Sequence, residues 1–68
     1  MKNNIKVERA RHNMTQADLA EKAQVSRQTI NAMEAGKYVP STVLSLKLAD
    51  IFKAEVSELF LLEKGDWK

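Results

Sequence analysis

Apolar residues recur at helical spacing along the chain, and short polar segments separate the periodic stretches. Leu19, Ala20 and Ala23 fall on one face of a helix, at i, i+1 and i+4. Thr15 precedes this run, and Asp18 lies three residues after Thr15, which is the spacing of a capping box. The periodicity breaks after Ala23. The pattern therefore predicts a short helix that begins just after Thr15.

A second helix is predicted immediately afterwards. Ser26 is a favourable N-cap residue. Ile30 and Met33 supply an inward face, and Gly36 stands where a C′ glycine would end the helix. The segment 15–36 is thus predicted to form two short helices that are joined by a tight turn.

Three further helices are predicted around this pair, over residues 5–12, 42–52 and 55–59. The longest of them has an apolar stripe at i, i+4, i+7 and i+8. Its members are Leu44, Leu48, Ile51 and Phe52. Residues 2–4 fit either a frayed end or a brief edge strand. The pattern predicts an all-α fold of five short helices.

Composition limits the chain to one domain, over residues 1–68, close to the lower size limit for an independent core. The chain has no cysteine, so neither a disulfide nor a thiolate metal site supports the fold. His12, the only histidine, has no cluster of carboxylates beside it. We therefore expect no enzyme, no metal and no cofactor. Without a membrane-length apolar run or a signal peptide, a cytoplasmic protein with no membrane partner is expected.

The net charge of +2 is distributed unevenly. Residues 1–41 contain seven Lys or Arg against four Asp or Glu, a net charge of +3. Residues 42–68 contain four Lys against five Asp or Glu, a net charge of −1. The positive excess lies with the predicted helix pair, as phosphate binding requires. A solvated helix face would carry a similar excess, so charge alone is weak evidence.

The outward face of the second helix carries Arg27, Gln28 and Asn31. Side chains of these types hydrogen-bond base edges in a major groove. The segment and its surroundings resemble the helix-turn-helix of the phage-repressor and Cro-type regulators, the Xre family, over about residues 5–60. The resemblance rests on Thr15-Gln16, Leu19-Ala20, Val25-Ser26, Ile30, Glu34, Gly36 and Pro40-Ser41.

The resemblance implies that double-stranded DNA is the partner, because the second helix of this motif lies in the major groove. Base contacts are expected from Arg27, Gln28, Asn31 and Ala32. For Asn31, either a base or a phosphate contact fits. Contacts to the DNA backbone are expected from Thr15, Gln16, Thr29, Lys37 and Tyr38.

The resemblance also implies a largely buried ion pair between Arg9 and Glu34, which stand twenty-five residues apart. Two positions depart from the family pattern. Glu8 replaces a large apolar residue, so either the helix is rotated until Val7 fills the core, or Glu8 bends outward. Gln24 replaces the usual glycine of the turn, where we expect a positive φ and a strain of roughly 1 kcal/mol.

Four consecutive apolar residues lie near the C-terminus: Leu59, Phe60, Leu61 and Leu62. A helix or strand with one solvent-exposed face cannot bury all four inside a small monomer. The residues of this run that the core cannot accept are expected to form an exposed apolar patch. We therefore expect a segment of about residues 55–63 to form the interface of a homodimer. The alternative is that all four residues pack inside the monomer or against Trp67.

Together these observations predict a transcriptional regulator, a repressor that binds a palindromic operator as a homodimer. Short stand-alone regulators that resemble this chain can also carry a small β-ribbon made from the chain ends. No second domain for a small-molecule effector is evident. The alternative function is that of an antitoxin, which binds a toxin and its own promoter.

Overall fold

Five helices and a two-stranded sheet make up the computed structural model, which describes residues 1–67. The elements are β1 (Lys2–Asn3), α1 (Ile5–Arg11), α2 (Gln16–Ala23), α3 (Arg27–Glu34), α4 (Thr42–Phe52), α5 (Val56–Leu59) and β2 (Phe60–Leu61). A short 3₁₀ helix, Lys64–Trp67, follows β2. Position 68, which the predicted domain includes, lies outside the described residues. The predicted helical fold with a small β-ribbon is confirmed.

Local capping interactions determine where three of the helices begin. Thr15 and Asp18 form the predicted capping box, in which each side chain accepts the other residue's backbone N–H at 3.0 Å. Ser26 caps α3 and Ser41 caps α4, and each hydroxyl accepts a backbone N–H from three residues further on, at 3.1 Å. These contacts satisfy N–H groups that a helix start leaves without an intrahelical partner.

The turn between α2 and α3 is formed by Gln24 in the left-handed conformation, with φ 62° and ψ 41°. The predicted positive φ is therefore confirmed. Lys47 of α4 approaches the same turn, and its Nζ donates to the carbonyl of Ala23 and to Oε1 of Gln24, both at 3.4 Å. A cation at the carbonyl end of α2 interacts favourably with the helix dipole.

All five helices contribute to one hydrophobic core. Its buried members are Ile5, Leu19, Ala20, Ala23, Ile30, Met33, Leu44, Leu48, Phe52 and Leu59. Small residues on α2 let α3 approach closely, and these two helices form the most extensive helix contact in the fold. The orientation of α3 relative to the rest of the molecule is consequently fixed by packing.

The structure excludes one of the two readings of α1 and supports the other only in part, since the Glu8 side chain is 15% exposed. Val7 is 52% exposed and does not fill the core, so the rotated helix is wrong. Glu8 is partly buried, and its Oε1 accepts a hydrogen bond from Nη1 of Arg11 at 3.2 Å. The Glu8 carboxylate is therefore paired with a charged side chain at the surface. Without such a partner, burial of the carboxylate in an apolar environment would be unfavourable.

The chain ends form an antiparallel β-ribbon in which Lys2 pairs with Leu61 and Asn3 with Phe60. The backbone N–H of Asn4 extends the pairing and donates to the carbonyl of Leu59 at 2.8 Å. Residues 2–4 are therefore an edge strand and its continuation, and not a frayed end.

The four consecutive apolar residues divide between the inside and the outside of the monomer. Leu59 is fully buried, which corrects its assignment to the dimer interface, because a core side chain cannot contact a second copy. Phe60 is partly buried. Leu61 and Leu62, here called the C-terminal patch, are 43% and 60% exposed. Trp67 is 77% exposed and does not bury them.

Candidate nucleic-acid interface

Helix α3 has one face in the core and the other in solvent. Ile30 and Met33 are buried, while the opposite side carries four side chains that we call the reading face: Arg27, Gln28, Asn31 and Ala32. The first three are exposed and Ala32 is partly buried. The reading face, together with Ala35 and Lys37, lines an open cleft of about 400 Å³. The structure thus gathers the predicted base-contacting residues on one surface.

A second cleft, of about 540 Å³, opens at the start of α2. It is lined by Arg9, Met14, Thr15, Gln16, Ala17 and Arg27. Because Arg27 lines both clefts, two predicted backbone-contacting residues, Thr15 and Gln16, adjoin the reading face. The first turn of a helix also presents free N–H groups and a partial positive charge, which together favour a phosphate.

The remaining predicted backbone contacts lie at the two ends of α3. The Thr29 hydroxyl is 2.9 Å from the Ser26 hydroxyl and takes part in the cap. After α3, Gly36 adopts φ 76°, and Lys37 donates its backbone N–H to the carbonyl of Ala32 at 2.9 Å. This Schellman-type ending turns the exposed side chain of Lys37 back along the cleft. Tyr38 follows and is exposed.

Beneath these clefts, Arg9 and Glu34 form a bidentate ion pair. The Nε–Oε2 distance is 2.6 Å and the Nη2–Oε1 distance is 3.0 Å, and Nη1 of Arg9 donates to the carbonyl of Met14 at 2.9 Å. The two side chains are only 14% and 8% exposed. The pair joins α1 to the last turn of α3.

The charge state of Glu34 follows from its surroundings. Burial by itself would raise the pKa of the carboxyl group, but hydrogen bonds from Arg9 and Gln16 outweigh that effect and hold the pKa below its ordinary value. The hydrogen bond to Glu34 in turn raises the pKa of Arg9. Both groups are therefore charged at neutral pH.

A chain of hydrogen bonds leads from this ion pair to the reading face. Nε2 of Gln16 donates to Oε1 of Glu34 at 3.2 Å. Nδ2 of Asn31 then donates to Oε1 of Gln16 at 3.4 Å. We call Glu34, Gln16 and Asn31 the amide relay. No sequence pattern predicts this connection between the ion pair and the reading face, since Gln16 and Asn31 lie on different helices.

The sequence is similar to a known family of helix-turn-helix domains. The helix-turn-helix family matches residues 5–59, which is most of the chain. The chain belongs to the Xre-type helix-turn-helix family. The match includes α1 and α5 as well as the motif itself, so the domain as a whole is shared with the family.

This Xre-type chain is similar to proteins named as uncharacterized HTH-type transcriptional regulators. One from Methanocaldococcus jannaschii is 52% identical over 66 residues, covering 97% of this chain and 100% of the relative. One from Bacillus subtilis is 44% identical over 64 residues, covering 94% and 97%. One from Archaeoglobus fulgidus is 42% identical over 66 residues, covering 97% and 93%. The similarity therefore extends over nearly the whole length of each chain.

Within residues 1–67, no group of three His, Cys, Asp or Glu side chains is placed to hold a metal ion. The His12 ring lies 5.3 Å from the Phe52 ring, centroid to centroid, and its Nδ1 is 2.9 Å from the carbonyl oxygen of Glu8. None of the helices described here is long and apolar enough to cross a bilayer.

Proposed function

We propose that this protein is a sequence-specific, double-stranded DNA-binding transcriptional regulator, and that it represses by occupying a palindromic operator as a homodimer. One observation carries the proposal. The reading face is exposed on a helix whose opposite face is packed in the core, and the cleft at the start of α2 adjoins it. Membership of a helix-turn-helix family whose relatives are named transcriptional regulators supports the DNA-binding and regulatory part of this proposal.

The proposed contacts follow from the chemistry of the reading face. With α3 in the major groove, Arg27 donates two hydrogen bonds to guanine O6 and N7, and Gln28 pairs with the N6 and N7 atoms of adenine. Ala32 can contact a thymine methyl group. The DNA backbone is held by Thr15 and Gln16 at the start of α2, by Thr29 in the first turn of α3, and by Lys37 and Tyr38 after α3.

Dimerisation is proposed because one short helix offers few base contacts. The C-terminal patch, with Phe60 beside it, leaves apolar surface exposed on the monomer. A two-fold axis through such a patch places it against itself. The two α3 helices would then enter successive major grooves, roughly 34–36 Å apart, and read an inverted repeat. Leu59 has no part in this interface.

Selection from a random duplex library with the purified protein, at a fixed salt concentration, tests the proposal. We expect enrichment of an inverted repeat whose half-sites are about one helical turn apart. Anisotropy titrations should then show much tighter binding to the selected duplex than to a scrambled one. Equal affinity for both duplexes, or no enrichment, would exclude sequence-specific binding. Enrichment of a single half-site would exclude the palindromic operator but would leave sequence-specific binding in place.

A further inference from the structure

The orientation of the Gln16 amide is dictated by Glu34. An ionised carboxylate offers only acceptor atoms, and Glu34 is held in that state by its bidentate pairing with Arg9. The nitrogen of Gln16 must therefore face Oε1 of Glu34, from which it lies 3.2 Å. The reverse orientation would bring two acceptor oxygens together. Gln16 consequently turns its own oxygen away from the ion pair.

Gln16 passes this orientation on to Asn31. The Gln16 oxygen can only accept a hydrogen bond, so the group that approaches it from Asn31 must be the NH₂, and Nδ2 lies 3.4 Å away. One N–H of Asn31 is thereby used inside the protein. The carbonyl Oδ1 and the second N–H remain for a ligand at the exposed reading face.

An acceptor beside a donor matches one base edge in the major groove. Adenine presents the N6 amino group next to the N7 acceptor, and an asparagine amide pairs with both. Guanine presents two acceptors, N7 and O6, which would oppose Oδ1, and thymine presents the O4 acceptor. Phosphate oxygens are also acceptors. Cytosine has the N4 donor but no acceptor beside it.

Resting on the proposed function, we infer that Asn31 reads adenine in the operator and that Gln16 is the positioning residue that orients its amide. The sequence alone allows Asn31 to contact either a base or a phosphate, and the amide relay favours the base. Gln16 keeps its second N–H, so it can hold a phosphate and orient Asn31 at once.

Operator selection with the wild type, Asn31→Ala and Gln16→Met tests the inference. Asn31→Ala should abolish the base preference at one operator position, and that position is the one that Asn31 reads. At that position we expect the wild type to prefer adenine over the other bases by about tenfold or more. Gln16→Met keeps the length of the side chain but removes the amide. It should reduce the same preference severalfold, while the positions read by Arg27 and Gln28 stay selective.

Gln28→Met is the matched control, because it removes an amide from the reading face without touching the relay. It should relax its own base position and leave adenine preferred at the Asn31 position. Lys37→Ala controls for lost phosphate contacts and should weaken binding to all sequences alike. Loss of a phosphate contact by Gln16 alone would also act uniformly, so a change confined to one base position marks the positioning role.

A measurement on the DNA-free protein separates the relay from DNA binding. NMR couplings of the Asn31 side chain should show one dominant χ1 rotamer in the wild type and averaging in Gln16→Met, with backbone amide shifts elsewhere preserved. Adenine preference that survives in Gln16→Met, or an Asn31 rotamer that does not change, would overturn the role of Gln16.

Two outcomes of the selection overturn the role of Asn31. The first is that guanine, thymine, cytosine or no base is preferred at its position while other positions stay selective. That result leaves the proposed function intact. The second is that the wild type enriches no sequence, in which case the proposed function fails and the reading of adenine fails with it. The NMR result would still report whether the relay forms.

Discussion

At the scale of single residues, the Arg9–Glu34 ion pair links the packing of α1 and α3 to the polar groups beside the reading face. It crosses from α1 to α3 and therefore fixes the position of α3, and through Gln16 it reaches the reading face. A nearly buried charge without its partner is strongly destabilising. The pair is thus a structural requirement, and its carboxylate also accepts a hydrogen bond from Gln16, beside the reading face.

Acid should weaken the fold partly through Glu34. Its pKa is lower in the folded protein than the ordinary value of 4.5, so its stabilising contribution is complete above about pH 4.5 and is lost as the pH falls through the folded-state pKa. We expect the free energy of unfolding of the wild type to fall more steeply between pH 5 and about pH 3 than that of Glu34→Gln. Urea melts over this range measure both slopes. Parallel pH profiles would mean that Glu34 titrates normally in the folded state.

Replacements on the reading face and in the loop after it should have different effects on DNA binding. Arg27→Ala should cost about 1–3 kcal/mol on the selected operator and relax the preference at one base pair. Lys37→Ala should weaken binding to every sequence and reduce the slope of log K against log salt by about one unit. Anisotropy titrations with operator and scrambled duplexes, at several salt concentrations, distinguish the two. Unchanged operator binding by Arg27→Ala would show that the reading face is misassigned.

Some residue-level features could be read from sequence and others could not. The resemblance to the Xre family was sufficient to expect the pairing of Arg9 with Glu34. No local rule relates Gln16 to Asn31, because their contact depends on how closely α2 and α3 cross. Likewise, the exposure of Val7 depended on packing around α1, and periodicity alone left it open.

At the scale of elements, short-range chemistry explains why most helix starts were predictable. Capping by Thr15, Ser26 and Ser41 involves residues within three positions of one another, so the sequence contains the whole signal. Helix α5 is different. Its start has none of the usual capping residues, and the backbone N–H of Glu55 is instead satisfied by the carboxylate of Glu58, at 2.8 Å. The β-ribbon depends on pairing between distant chain ends, which no local pattern could establish.

The turn between α2 and α3 should tolerate, and gain from, a glycine. Gln24 has φ 62°, a conformation that is strained for a side chain and free for glycine. We expect Gln24→Gly to stabilise the fold by up to roughly 1 kcal/mol, since relief of strain exceeds the added freedom of the unfolded chain. Gln24→Ala is the control: it keeps the strain and also loses the contact with Lys47, so no gain is expected. Thermal melts that show clear destabilisation by Gln24→Gly would indicate that the Lys47 contact outweighs the strain.

At the scale of the whole molecule, the exposed apolar surface is the feature that a monomer leaves unexplained. The four-residue apolar run was predicted to exceed what the core can accept, but its division could not be read from sequence. Leu59 closes α5 and points into the core, and the chain becomes extended at Phe60, which leaves the C-terminal patch outside. A second exposed apolar area lies on the outer side of α4, formed by Val43 and Leu46.

The proposed dimer can be tested by placing a charge in each of these two areas. Leu61→Glu should give a monomer, because a self-facing patch brings the two new charges together. Leu46→Glu is the matched control: Leu46 is 58% exposed on α4, and the same substitution there should leave the dimer intact. Sedimentation equilibrium at tens of micromolar measures both, with circular dichroism to show that each variant is folded.

Operator binding should follow the oligomeric state. Leu61→Glu should bind a single half-site with affinity close to that of the wild type for the same half-site, but lose the tighter binding to the full inverted repeat that two linked α3 helices provide. Dissociation by Leu46→Glu, and not by Leu61→Glu, would move the interface to the outer side of α4. A wild type that stays monomeric and binds the two half-sites independently would rule out a dimer through either area.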